Sequence, residues 1–488
     1  MISVHDRRVA DAVGDLDGFR RVFYDCLTAR ADALFDLTDA VLCADGPVRS
    51  LVELSLVGEH RRGHGALYDA LACGQLDVDR LRTALAGVPL PRAADGRLVL
   101  AVDITCWLRG RTHTPRPSGF CATPTGAVRT RRSWSRAGLT RWSWPWSRAT
   151  VHWTAPLDAV RLAPGADAAT VTAGQVRDIA ERLVAAGQWQ TGDPNILVVA
   201  DAGYDAPRLA FLLRDLPVQV LARMRSDRVL RRAAPPRQPG TNGRPPRHGG
   251  EFAFGDPATW GEPDAATSTD TRLYGTAWAR AWNRLHPRLT HRSAWIDAAK
   301  VLPVIEGTVI RLEVDHLPSG ATPKPVWLWW SGVDPTTADV DRLWQTFLRR
   351  FDIEHTFRLF KQTLGWTAPK VRTPQAADRW TWLILAAHTQ LRLARPLAAD
   401  LRRPWERPTP PERLSPARVR RGFRHLRANS ACPAGAPKPN RPGPGRPPGR
   451  PNRHPTRRHD VHIVTSSATR KTTSSKKKST NPRPRRTG

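Results

Sequence analysis

Leu98-Val99-Leu100-Ala101-Val102-Asp103-Ile104-Thr105 is an apolar, β-rich run with one acid near its C-terminal end. Its length and composition predict a buried strand. A second run of the same kind, Ile196-Leu197-Val198-Val199-Ala200-Asp201-Ala202-Gly203-Tyr204, again ends in an acid. A third, Val218 to Met224, follows, and residues 172–188 between the first two have the apolar spacing of an amphipathic helix. Strand, helix, strand, helix, strand predicts an α/β sheet. Upstream, Phe19, Val22, Phe23, Cys26 and Leu27 recur at helical spacing, as do Leu34, Leu37, Val41 and Leu42, so residues 1–95 are expected to form a helical N-terminal domain. Downstream, residues 231–265 are rich in Pro, Gly and Arg and read as a long loop. Val309 to Val314 and Val326 to Trp330 are further strands, and two helices are expected at about 337–364 and 375–396. The expected domains are 1–95, a catalytic core from 96–228 and 336–400, a β-rich insertion over 229–335, and a disordered basic tail over 401–488.

The chain has 488 residues and a formal charge of +32. A charge of this size excludes an ordinary acidic enzyme and points to a polyanionic partner. The charge is concentrated. Residues 402–488 hold 24 Lys and Arg against three acids, and residues 104–157 hold nine Arg and no acid, which leaves the rest near neutral. The tail, with Arg441-Pro-Gly-Pro-Gly-Arg446-Pro-Pro-Gly-Arg450, has few apolar residues to bury. Basic tails of this kind bind phosphate backbones without reading sequence; the alternative is a merely solubilising C-terminus. Six scattered cysteines form no C-x-x-C pair, which gives no support to a zinc ribbon or a disulfide framework. No apolar run approaches the ~20 residues of a membrane helix, and Met1 to Arg8 contains no apolar signal region. The expected location is the cytoplasm, with no membrane partner.

Asp103 and Asp201 each end an apolar strand, at the sheet edge where open α/β folds bind ligands. At 100° per residue, Arg350, Glu354 and Lys361 fall within about 40° of one another on the helix expected after the insertion. That face borders the apolar stripe of Ile353, Phe357, Phe360 and Leu364, which places the carboxylate at the rim of the core beside two cations. Three convergent carboxylates suit two Mg²⁺ (or Mn²⁺) ions, hard cations that take oxygen ligands. Such a pair activates a water or a 3′-hydroxyl and stabilises the leaving oxygen of a phosphodiester. The plainer alternative is that strand-end Asp residues only cap turns. His355 is a lone histidine of the kind that is usually structural, and the remaining His and Cys have no ligand spacing.

Phe347-x2-Arg350-x3-Glu354-x6-Lys361 resembles the Y-(2)-R-(3)-E-(6)-K signature of DDE transposases from bacterial insertion sequences, with Phe where the signature has Tyr. Val199-Ala200-Asp201-Ala202-Gly203-Tyr204-Asp205 resembles the second-aspartate strand of that family, and Leu98 to Thr105 the first. The long β insertion before the glutamate matches as well, and the layout is most similar to the actinobacterial branch with an IS701-like DDE domain. The resemblance spans about residues 15–450. It implies an RNase H-like catalytic core, Asp103, Asp201 and Glu354 as catalytic residues and metal ligands, and Mg²⁺-dependent DNA cleavage with strand transfer. It further implies DNA-phosphate contacts from Arg350 and Lys361, and a homodimer on DNA.

Residues 109–152 do not fit this pattern. They hold four Trp, many Arg, Ser, Thr and Pro, and no acid, without a period of two. A shifted reading frame explains this composition: the frame two nucleotides along from Trp142-Ser-Trp-Pro-Trp-Ser-Arg-Ala can encode Val-Val-Ala-Leu-Glu-Pro-Gly. The Asp103 strand is then expected to lose its hairpin neighbour, and the chain to be the product of a decayed element. The other reading is a basic, Trp-bearing loop for single-stranded nucleic acid. Three functions stay open: a transposase, a non-catalytic basic DNA-binding protein, and an RNase H-like nuclease without strand transfer.

Overall fold

The computed structural model describes residues 4–108, 133–142, 153–163, 165–237, 243–290, 302–317 and 319–437. The N-terminal segment folds as α1 (Val4–Asp25), β1 (Leu27–Ala29), α2 (Ala31–Cys43), α3 (Leu51–Leu54), α4 (His64–Cys73), β2 (Gln75–Leu76) and α5 (Val78–Gly87). The apolar spacing read from the sequence is what packs it. Leu16, Phe19 and Phe23 of α1 and Leu34, Leu37 and Val41 of α2 are all buried in one cluster. Local caps set the ends: Ser50 accepts from the Glu53 N–H at α3, and Asp77 from the Arg80 N–H at α5.

The next segment supplies β3 (Val99–Leu108), β4 (Ser133–Trp142), β5 (Ala155–Arg161), α6 (Ala168–Ala185), β6 (Ile196–Ala200), α7 (Ala206–Leu212) and β7 (Val218–Met224). Their order in the sheet is β5-β4-β3-β6-β7. β3 is antiparallel to β4 and β4 to β5, while β3 and β6, and β6 and β7, run parallel. This is the RNase H-like arrangement expected from the sequence. β3, β6 and β7 were legible because both of their faces are buried, leaving nearly unbroken apolar runs.

The expectation that β3 loses its neighbour is not met. β4 pairs with β3 along ten residues, from Val99 opposite Trp142 to Leu108 opposite Ser133. Ladder pairing is made by backbone groups, so tertiary context forms a strand where the side chains show no alternating period. Residues 109–132 and 143–152, the rest of the segment read as frame-shifted, lie outside the described residues.

The β-rich segment gives β8 (Val229–Arg231), β9 (Glu251–Ala253), β10 (Ala265–Thr271), β11 (Gly275–Leu285), β12 (Gly307–Val314) and β13 (Val326–Trp330). β13 pairs antiparallel with β7, and β12, β11 and β10 follow outward, so one nine-stranded sheet runs from β10 to β5. Beyond it come α8 (Thr337–Leu348), α9 (Phe351–Arg358), a π-helical turn over Leu359–Thr363, and α10 (Pro374–Ala394). Thr336 and Asp339 form a capping box on α8. Residues expected as one helix over 337–364 are thus three pieces. α10 is buried through most of its length, from Ala376 to Ala394.

Chain contacts divide the protein after Pro437. Residues 401–437, expected as the start of a disordered tail, belong to the folded part. They carry α11 (Pro416–Asn429), whose Val419 and Phe423 are fully buried. Composition misled here because several of these arginines satisfy the protein itself. Arg420 donates to the carbonyls of Val41 and Gly46, Arg424 to Glu59 and the Cys43 carbonyl, and Arg427 to Asp39. A chain ending at Pro437 is therefore expected to melt cooperatively at the full-length temperature in calorimetry. One ending at Leu401 is expected not to, since each large apolar side chain lost from a core costs about 2–5 kcal/mol.

Candidate active site

β3 and β6 run parallel with Ala101 opposite Val199. Asp103 and Asp201 each stand two residues beyond that pair: Asp201 just past the end of β6, as expected, but Asp103 as the fifth of the ten residues of β3, which runs on to Leu108 because its later residues still pair with β4. Strand side chains alternate between faces. Val99, Ala101, Leu197 and Val199 pack with Val340, Leu343, Trp344 and Phe347 of α8, so both aspartates fall on the register of the face that α8 covers. Asp201 lies just past β6 in a tight turn, where its Oδ1 accepts from the Gly203 N–H at 2.8 Å and its carbonyl from the Tyr204 N–H at 3.3 Å.

Glu354 reaches this place from α9. Between α8 and α9 the helix tightens: the Arg350 N–H bonds to the Phe347 carbonyl and the Ile353 N–H to the Arg350 carbonyl, each three residues back. Arg350 is the hinge of this turn and is buried, at 7 % exposure. Its Nη1 donates to Asp103 Oδ2 at 3.0 Å and its Nη2 lies 3.5 Å from Glu354 Oε1. One guanidinium thus links the first and third carboxylates of the expected triad. Glu354 itself is 55 % exposed at its side chain, at the rim of the core as the sequence implied.

The π-helical turn then carries Lys361 to the same strand. Its Nζ donates to Thr105 Oγ1 at 2.6 Å, so β3 presents Asp103 to Arg350 and, two residues on, Thr105 to Lys361. The turn is closed by Gly365 at φ +68°, where a Cβ would meet the Val48 carbonyl at 2.5 Å. Phe347, at the tyrosine position of the signature, is 4 % exposed within the apolar α8 cluster and presents no polar atom to the site.

The electrostatics follow from this geometry. Burial pushes the Asp103 carboxyl up to about 6; the Arg350 cation opposes that shift and the Asp201 charge adds to it. Asp103 is still ionised at neutral pH, but its charge is held under strain from burial and from its neighbour.

The profile of the family described as DDE superfamily endonuclease matches residues 22–288. The chain belongs to the DDE superfamily endonucleases. The matched range contains Asp103 and Asp201 and ends before α8. Among solved structures, the piggyBac transposase in a synaptic complex with hairpin DNA is similar at 10 % identity and a TM-score of 0.38, over 74 % of this chain and 64 % of that one. The chain thus spans less than two thirds of that transposase. No curated protein matches the sequence. No helix among the described residues is long and apolar enough to cross a membrane.

In this DDE superfamily endonuclease the donor set suits a hard divalent cation. Asp103 and Asp201 offer carboxylate oxygens from neighbouring strands, and the Asp201 charge acts on the Asp103 carboxyl, a repulsion that a bound cation relieves. Among the described residues, no three His, Cys, Asp or Glu side chains are already gathered as a metal cluster. Glu354 instead shares Arg350 with Asp103. Two residues beside the candidate site escaped the sequence reading. Thr105 could have been found as the next residue on the Asp103 face, and Tyr204 lies inside the quoted motif around Asp201.

Proposed function

We propose that this chain is a DNA transposase of a bacterial insertion sequence, of the Tyr-Arg-Glu-Lys signature type and the IS701-like branch. Asp103, Asp201 and Glu354 are its catalytic carboxylates. The observation that carries this reading is Arg350, hydrogen-bonded to Asp103 and ion-paired with Glu354, beside a β3–β6 pairing that ends two residues before Asp103 and Asp201. The three carboxylates would hold Mg²⁺ or Mn²⁺, a pair of which supplies an activated water or 3′-hydroxyl and stabilises the leaving oxygen. Arg350 steadies Asp103 and, with Lys361, offers cations to the DNA phosphates beside the cleaved bond. The charge beyond residue 402 adds affinity that does not depend on sequence. On this reading DNA is the partner, a homodimer is the working unit, and the protein acts in the cytoplasm on nucleoid DNA. How active the chain is depends on residues 109–152, and the nucleotide sequence of those codons tests the shifted frame directly.

Incubation with linear donor DNA and a supercoiled target, in Mg²⁺, Mn²⁺ or EDTA, separates the three functions. Nicks and joined products in metal, with neither in EDTA, are expected. Nicks without joining would instead make it an RNase H-like nuclease. Salt-sensitive binding with no cutting in any metal would make it a non-catalytic DNA-binding protein.

A further inference from the structure

Tyr204 carries a buried hydroxyl with no hydrogen-bond partner among the described residues. Its ring packs against the large core cluster, fixed there by the turn that follows β6. The turn holds Tyr204 next to the site, its N–H bonded to the Asp201 carbonyl at 3.3 Å, and the charges of Asp103, Asp201 and Arg350 act on its phenol. Yet neither carboxylate accepts from it. The Asp103 oxygens are engaged by the Ile104 N–H and by Arg350, and Asp201 Oδ1 by the Gly203 N–H. A buried hydroxyl without a partner is costly, and a phenylalanine would avoid the cost. An orphan donor at the edge of a candidate site therefore calls for an acceptor that arrives with a ligand. The signature's tyrosine position supplies no hydroxyl, because it holds Phe347, buried among apolar side chains.

We infer that the Tyr204 hydroxyl is a substrate-contacting donor, reserved for a phosphate oxygen of DNA bound at the Asp103–Asp201 edge. The inference rests on the proposed DNA-cleaving function and adds a residue to it. The charges of Asp103 and Asp201 act at this place, so the phosphate would be admitted only together with the cations that offset them, Arg350 among them. A neutral phenol suits that place because it donates without adding another negative charge.

The test compares the full-length chain with its Tyr204→Phe variant, and with Asp201→Asn in parallel. Melting without metal is expected to be unchanged or higher for Tyr204→Phe, since only an unsatisfied hydroxyl is removed. Single-turnover cleavage in Mn²⁺ is expected to fall about 10–100-fold. A merely structural tyrosine would do the reverse, losing stability and keeping the rate per folded molecule. Wild-type cleavage, or a lowered melting temperature, would overturn the inference. If the unmodified chain does not cut DNA, the transposase reading fails separately. Tyr204 is then judged on affinity for short duplex DNA in Ca²⁺: binding about tenfold weaker for Tyr204→Phe supports the donor, and equal binding overturns it.

Discussion

Asp201→Asn is expected to keep its fold and its DNA affinity and to lower metal-dependent cleavage on the order of 10³-fold. The fold survives because Asn retains the oxygen that accepts from the Gly203 N–H, so the turn after β6 stays closed. DNA affinity survives because most of the chain's excess positive charge lies elsewhere. What is lost is one of two adjacent negative charges, and with it the field that attracts a divalent cation. The substitution also has a consequence in the metal-free protein. The Asp201 charge helps to raise the Asp103 carboxyl to about 6, so removing it moves Asp103 back toward ordinary carboxylate behaviour. Mn²⁺ titration should show weakened binding, while carbonyl-region NMR of Asp103 shows the lower pKa. Cleavage within tenfold of the unmodified chain would remove Asp201 from the reaction. A pKa of Asp103 that does not move would mean the two side chains do not sense each other.

The sequence made the centre of the sheet readable for the reason that the site sits there. Strands buried on both faces must be apolar, and an acid at the end of such a strand stands out. Asp103 and Asp201 were found in this way, whereas the neighbouring position of their strands needed the β3–β6 pairing. Glu354 and its two cations were found by spacing. A wheel with uniform steps could not show that the chain tightens at Arg350 and widens at Lys361, and those two irregularities bring Arg350 to Asp103 and Lys361 to Thr105. Tyr204 was hidden by context, because a tyrosine after a strand is unremarkable until its hydroxyl is seen to lack a partner. β4 was missed since its pairing is a backbone property. α11 was missed since a count of arginines does not distinguish those that face solvent from those that bind buried carbonyls and carboxylates.

That last distinction leads to the largest stability effect expected in the protein. Asp39→Ala should destabilise it by about 3–5 kcal/mol, because it strips a partner from a fully buried charge. Arg20 is 0 % exposed and Asp39 1 %. The two Nη atoms of Arg20 donate to Asp39 at 2.8 and 3.0 Å, and Nη1 also donates to Gln390 at 2.6 Å. Arg427 Nε approaches the same carboxylate at 3.1 Å. One aspartate of α2 thus joins α1 and α11, and Arg20 extends the network to α10 through Gln390. Removing it leaves the Arg20 guanidinium buried with a neutral amide as its main partner, and Arg427 without its anion. A typical domain is stable by about 5–15 kcal/mol, so the loss is a large fraction of the whole. Urea denaturation measures it, and a change below 1 kcal/mol would mean that water enters the site freely. The exposed pair Arg225–Asp227 is the control, with both side chains more than half accessible; breaking it should leave the urea midpoint essentially unchanged, because solvent screens the pair. Replacing both buried partners, Arg20→Met with Asp39→Leu, should recover much of the loss, because the penalty comes from the unpaired charge more than from the missing attraction. The network touches none of Asp103, Asp201 and Glu354. At temperatures where Asp39→Ala is still folded, its cleavage rate per folded molecule should therefore match the unmodified chain, which separates the protein's support from its chemistry.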